Sequence, residues 1–163
     1  MTRNATGSRL MHRPNELGAE DAMRTDLRPE DLGDLLEQPL IAVLATRRRD
    51  DSIMLSPVWF EWHEGGINIW VPTPEGGKVG HVRRDPRVTV VVANHDCPYK
   101  GFELRGEATV STEPDDFYGA LRRTALRYDG PEAAERMVST YAPGAVIRVE
   151  PGVIRAWDYE DEA

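Results

Sequence analysis

Apolar positions along this chain follow two periods, and the places where one gives way to the other lay out its elements. Leu40-Ile41-Ala42-Val43-Leu44-Ala45-Thr46 is apolar on both faces, which predicts a central strand. The polar loop Arg47 to Ser52 leads into a second strand, Ile53 to Trp62, and Glu64-Gly65-Gly66 turns into a third, Ile67 to Val71. These three read as hairpin-linked neighbours. Pro57 lies inside the second and has no N–H for a ladder, so pairing there is expected to break, bulge or face an edge. Arg87 to Ala93 is another β-branched strand. Gly101 to Thr112 then sets Phe102, Leu104, Gly106, Ala108 and Val110 on one face, with Gly106 marking a bend or a close approach. The chain closes with a strand from Ala145 to Glu150, a Pro151-Gly152 turn and a strand from Val153 to Asp158.

Three-and-four spacing takes over in four places. Pro29 opens a short helix whose Leu32, Leu35 and Leu36 share one face and which ends near Gln38-Pro39, placed to plug one end of a β core. A short basic helix follows the turn Thr73-Pro74-Glu75-Gly76-Gly77-Lys78 and stops at Pro86. A third helix, Pro114 to about Tyr128, buries Phe117, Ala120, Leu121, Thr124, Ala125 and Tyr128, with Asp115 and Asp116 at its positive end. A fourth, Pro131 to about Thr140, buries Ala134, Met137 and Val138. Residues 1–28 are polar, contain Pro14 and Gly18 and keep no apolar period, so they are expected to form an arm with little fold ahead of a single domain, 29–163. The expected architecture is mainly β: six or seven antiparallel strands closed into a barrel, which removes exposed edges, with peripheral helices.

Charge and composition narrow the function. Twenty-eight acidic against twenty basic residues give a net charge of -8, which disfavours a nucleic-acid partner held by broad phosphate neutralisation. Arg47-Arg48-Arg49 is most simply a solvated loop. Cys97 is the single cysteine, and His12, His63, His81 and His95 stand at no familiar metal-ligand spacing, so neither an intrachain disulfide nor a metal site is expected. No apolar run approaches the roughly 20 residues of a membrane span, and the first residues lack the hydrophobic stretch of a secretory signal, so a soluble, cytoplasmic protein is expected. Neither Ser52 nor Ser56 lies in a nucleophile elbow, and Asp50-Asp51 and Asp115-Asp116 belong to a turn and a helix start. No catalytic residue is assigned.

What remains is a place for a phosphate and a place for a ring. In the turn from Thr73 to Lys78 two adjacent glycines let the backbone approach an anion, the following helix start offers amides, and Lys78 supplies a point charge. The interrupted strand around Pro57, Val58 and Trp59 offers an apolar wall and unpaired backbone groups for the edge of a planar cofactor.

The ordered motifs Leu44-Ala45-Thr46, Ser56-Pro57-Val58-Trp59-Phe60, Thr73 to Lys78, His81-Val82-Arg83-Arg84-Asp85-Pro86-Arg87-Val88 and Phe102 to Ala108 resemble the pyridoxamine 5'-phosphate oxidase-like split β-barrel superfamily, most of all its branch that uses the deazaflavin coenzyme F420. The resemblance runs from about Leu35 to Trp157. It implies a homodimer with two cofactor sites across the interface and an oxidoreductase passing a hydride from reduced F420 to a conjugated acceptor: quinone-like, enone or tetrapyrrole. FMN is the alternative cofactor, and a non-catalytic carrier of a flavin, F420 or haem is a further reading. Carried over residue by residue, the phosphate falls to Lys78, Thr73 and Ser56, with Val79 and His81 beside them, and the ring to Pro57, Val58 and Trp59. The second subunit contributes around Pro98, Tyr99 and Lys100, and Trp157 is a further candidate. Two positions depart from the pattern: Gly77 stands where many F420-binding relatives carry arginine, and His81 where an asparagine is expected.

Overall fold

The computed structural model describes residues 23–24, 28–97 and 99–159. The expected arm, apart from Met23–Arg24 and Arg28, lies outside the described residues, as does Pro98. Eight strands form one antiparallel sheet: β1 (Met23–Arg24), β2 (Ala42–Arg47), β3 (Ile53–Val58), β4 (Glu61–His63), β5 (Gly66–Val71), β6 (Arg87–Ala93), β7 (Lys100–Ser111) and β8 (Ala145–Asp158). Their lateral order is β3-β2-β6-β7-β8-β5-β4, with the two-residue β1 added to β8 near Trp157.

That order explains the shape. The edge strands β3 and β4 are joined through Trp59 and Phe60 alone, and so short a link reaches only about 10 Å. The two ends of the sheet path must therefore meet, and the sheet curls into a barrel. The predicted strand Ile53 to Trp62 is thus two strands, one on each edge, broken at a corner. Pro57 is accommodated because β3 pairs only with β2, so the missing N–H falls on an edge strand. The barrel stays split beyond the corner. β4 covers only Gly66–Asn68 of β5, leaving Ile69–Val71 paired to β8 alone, while β3 has no partner on its outer side. Two free lips run out from the corner.

Inward-facing residues fill the barrel: Leu44, Phe60, Ile67, Ile69, Val90, Val92, Phe102, Leu104 and Ile147 are fully buried. A 3-10 helix, Pro29–Leu36, sends Leu32, Leu35 and Leu36 into this core at the end where β2 begins. The short helix that the leucine spacing predicts is present, and Gly33, at φ 57°, breaks its regularity. Helix α1 (Gly77–Arg84) closes the other end with Val79 and Val82. Helices α2 (Pro114–Asp129) and α3 (Pro131–Thr140) lie outside, where Phe117, Ala120 and Leu121 cover Val146 and Trp70.

The carboxyl end also differs from expectation. The expected Pro151-Gly152 turn lies inside one continuous strand, β8. Arg105 pairs with Val153 and Gly106 with Pro151, so Gly152 is bulged out. Gly106 permits it, because a Cβ there would lie 2.0 Å from the Glu150 carbonyl oxygen.

Candidate functional site

One lip of the split leads into the glycine-rich turn. β5 ends at Val71, and α1 begins at Gly77 with Gly76 as an N-cap that makes no side-chain bond. No acidic residue stands in the first turn, and among the described residues Lys78 has no ion-pair partner. The first amides and the lysine therefore make a positive helix end, and Glu75, just before the N-cap, makes no ion pair with Lys78. A Cβ on Gly76 would come 2.9 Å from Thr73 Oγ1, so glycine lets that hydroxyl fold back over the turn. Gly77 takes φ 39°, the left-handed region that penalises a side chain, which gives a backbone reason for glycine at this departure from the family pattern. The chemistry of this donor set, amides, a hydroxyl and one ammonium, fits a phosphate.

Val79, one residue on, is fully buried and holds the turn by donating its amide to Gly76 O (2.9 Å). His81, one helical turn after Lys78, shares a 3.0 Å hydrogen bond between its Nδ1 and Thr46 Oγ1, tying α1 to β2. Burial, with the Arg84 and Arg48 charges behind it, holds the imidazole below its usual pKa, so His81 is neutral near pH 7. At the far end of α1 the Arg87 guanidinium grips Asp85 through two bonds (2.9 and 2.8 Å) and holds its carboxyl down to about 2. Arg84 donates to the Arg47 carbonyl, so with His81 the helix is tied to β2 at two points.

The other lip is β3. Ser56 and Val58 face the barrel interior, with Ser56 buried opposite Leu44, whereas Ile53, Leu55 and Pro57 face outward and are exposed. Thr46, which binds His81, pairs with Met54, two residues from Ser56, so one hydrogen bond and one ladder step connect α1 to this lip. Trp59, at the corner, stacks one face on Tyr128 (4.7 Å between centroids, 12° between planes), so that face is taken by the protein itself.

Tyr99, Lys100 and Trp157 form a separate patch. Gly101 pairs with Trp157, Lys100 with Asp158, and Tyr159 donates to Tyr99 O (3.1 Å). The indole lies across Gly101, where a Cβ would sit 2.4 Å from Trp157 Cζ2. Gly101 and Trp157 share the outer face with Pro57, but the row Pro57-Val43-Val91-Glu103-Arg155 puts four strand spacings between β3 and β8, about 19 Å measured around the curled sheet. Two open recesses among the described residues hold none of the candidates. One of about 440 Å³ lies on the outer face between Ile53, Thr89 and Val153; the other, about 590 Å³, lies by the start of α2 among Asn68, Asp115, Arg123 and Arg148.

Comparison with known proteins sets this geometry in a family. The family model described as pyridoxamine 5'-phosphate oxidase matches residues 29–158, most of the chain and all of the barrel. The chain belongs to that family. Members of the wider pyridoxamine 5'-phosphate oxidase-like superfamily bind flavins or F420. Among solved structures, the conserved hypothetical protein Rv2991 from Mycobacterium tuberculosis is similar over 85% of this chain and 89% of its own, at 22% identity and a TM-score of 0.72. A protein described as an F420 reductase is 28% identical over 78% of this chain and 98% of its own, with a TM-score of 0.61. A FAD-binding protein from Mesorhizobium loti is 19% identical over 82% of this chain and 97% of its own, with a TM-score of 0.53, and shows likeness of fold. No curated protein matches. Among the described residues no helix is long and apolar enough to cross a membrane, and no cluster of three or more His, Cys, Asp or Glu could hold a metal ion.

Two groups beside the split escape a reading of the sequence. Glu61, a carboxylate within an apolar run, is buried and held by Nε and Nη2 of Arg123 (2.8 Å each) and by Asn68 Nδ2 (3.0 Å). The signal was the isolated charge between Phe60 and Trp62, which a buried strand tolerates only with a partner. The other group is the pair Arg127 and Tyr128 at the end of α2.

Proposed function

We propose that this family member is a homodimeric oxidoreductase that binds F420 in the split between β3 and β5 and serves hydride transfer to a conjugated organic acceptor. The observation that carries the reading is the split itself, with the glycine-rich Thr73–Lys78 turn and its unpaired lysine following one lip and the free β3 edge with Pro57 forming the other. Lys78, Thr73 and the first α1 amides would hold the phosphate, and the β3 edge at Pro57 and Val58 would lie along the ring. When bound, F420 supplies the hydride. The residues around it have to bind, orient and exclude water, which accords with the lack of an assigned acid or base.

The β3 edge and the Tyr99–Trp157 patch lie four strands apart around the barrel, which supports a dimeric site, because one ring system touching both would take the second from another copy. The outer face has the composition for such pairing: Leu55 is 66% exposed beside Ile53, Pro57, Val43 and Val91.

FMN is the second reading, favoured by the electrostatics of α1. With His81 neutral and Gly77 without a charge, Lys78 is the one cation of the turn, enough for a mononucleotide phosphate. Titrating the purified protein separately with F420 and FMN, followed by fluorescence, tests the choice. Binding of F420 with turnover of a quinone, enone or tetrapyrrole supports the proposal; tight binding of FMN alone contradicts it, and binding of F420 without reduction of any acceptor points to a carrier.

A further inference from the structure

The lips of the split diverge from the Trp59–Phe60 corner, so whatever fixes that corner fixes the opening between them. Two consecutive residues at the end of α2 do so. The Tyr128 hydroxyl donates to Leu40 O (2.5 Å), just before β2, and accepts from the Phe60 amide (3.3 Å) in the corner itself. Nη1 of Arg127 donates to the carbonyl of Leu36 (3.0 Å), the last residue of the 3-10 helix, and Nη2 donates to Phe60 O. The Arg127 guanidinium also lies over the Phe60 ring (4.9 Å to the centroid), while the Tyr128 ring stacks on Trp59. These two side chains thus bind the backbone on both sides of the junction: the approach to β2, which carries β3 along one lip, and the corner, which leads through β4 to the other. The groups they hold, one amide and three carbonyls, lie at a helix end and between strands, outside the ladder, and would otherwise be stranded in a half-buried place.

We infer that Tyr128 and Arg127 are positioning residues for the candidate cofactor site: they set the direction in which β3 leaves the corner, and with it the place of Pro57 and Val58 relative to the Thr73–Lys78 turn. This rests on the cofactor reading of the split. Neither residue need touch the ligand. Phe60 and Tyr128 are 68 residues apart in the chain, so the tie couples α2 to the site through a contact between distant segments.

Hydrogen exchange of the full-length protein without cofactor, combined with titration of F420 and FMN, tests the inference in two independent arms. In Tyr128→Phe, which keeps the ring on Trp59 and loses only the hydroxyl, amides from Trp59 to Trp62 should exchange faster. Affinity for whichever cofactor the unaltered protein binds should fall about fivefold, the scale of one net hydrogen bond. Arg127→Met should act in the same direction; should it not fold, Arg127→Lys takes its place, since a single ammonium cannot reproduce the planar fork to two carbonyls. Ala120→Gly, in the same helix but away from the corner, serves as the control. It should cost thermal stability while leaving both the corner amides and the affinity in place. Unchanged exchange at the corner in Tyr128→Phe overturns the tie, whatever the ligand does. Faster exchange with unchanged affinity overturns the positioning role and leaves a structural tie alone. If the unaltered protein binds neither cofactor, the functional reading fails and the positioning role with it, while the exchange arm still decides whether the corner is tied.

Discussion

Lys78 and His81 stand one helical turn apart on α1 and behave oppositely. Lys78 keeps its charge at the helix start without an ion pair, whereas burial against Thr46 disfavours the charged form of His81. An imidazole whose pKa falls on folding binds fewer protons in the native than in the unfolded chain. Its contribution is therefore present above the unfolded value of about 6.5 and is lost as pH falls through the lower folded value. Urea unfolding at pH 7 and pH 5 should show a loss of stability that His81→Asn makes smaller; an equal loss in the variant would mean that His81 titrates freely. Single residues were legible in the sequence where their chemistry is local. The glycines and lysine of the turn, and the proline of β3, announce themselves. Trp59 did not, because its neighbour Tyr128 is far along the chain and nothing in either segment names the other. Glu61 gave half a signal, the anomaly without the partner.

Elements were read well where one period governs them. β6 runs from Arg87 to Ala93 and α3 from Pro131 to Thr140, as the alternation and the three-and-four spacing predict. The misreadings arose where a local signal has two structural uses. Pro-Gly is a turn signal in an isolated segment, but in β8 it is a bulge, since the long partner β7 keeps pairing past it and Gly106 lets the backbones close in. Ile53 to Trp62 reads as one strand because only the closure of the whole sheet demands the corner. The β7–β8 ladder also carries the Tyr99–Trp157 patch, which makes Gly101 a sensitive position. A Cβ there would meet Trp157 at 2.4 Å and Val92 O at 2.7 Å. Gly101→Ala should therefore displace the indole, shift the tryptophan emission and cost about 1–3 kcal/mol in urea unfolding. Unchanged emission and stability would show that the indole rests elsewhere.

At the scale of the molecule, α2 and α3 cover the outer face of one half of the barrel, and the other half, β3-β2-β6-β7, is left uncovered, apolar at Ile53, Leu55, Val43 and Val91 and charged at Glu103 and Arg105. Leu55 stands in that face. Leu55→Lys should convert a dimer of two 18.3 kDa chains into monomers by light scattering and weaken cofactor binding at the same time. A monomeric unaltered protein at micromolar concentration would remove the two-subunit site. The central claim, however, is that the turn between β5 and α1 holds a cofactor phosphate, and Lys78 is its one cationic side chain. Fluorescence titration of F420 against the unaltered protein and Lys78→Ala tests it most directly. The account predicts an affinity at least about tenfold lower in the variant, a difference of about 1.4 kcal/mol; equal affinities would contradict it and take the site away from this turn.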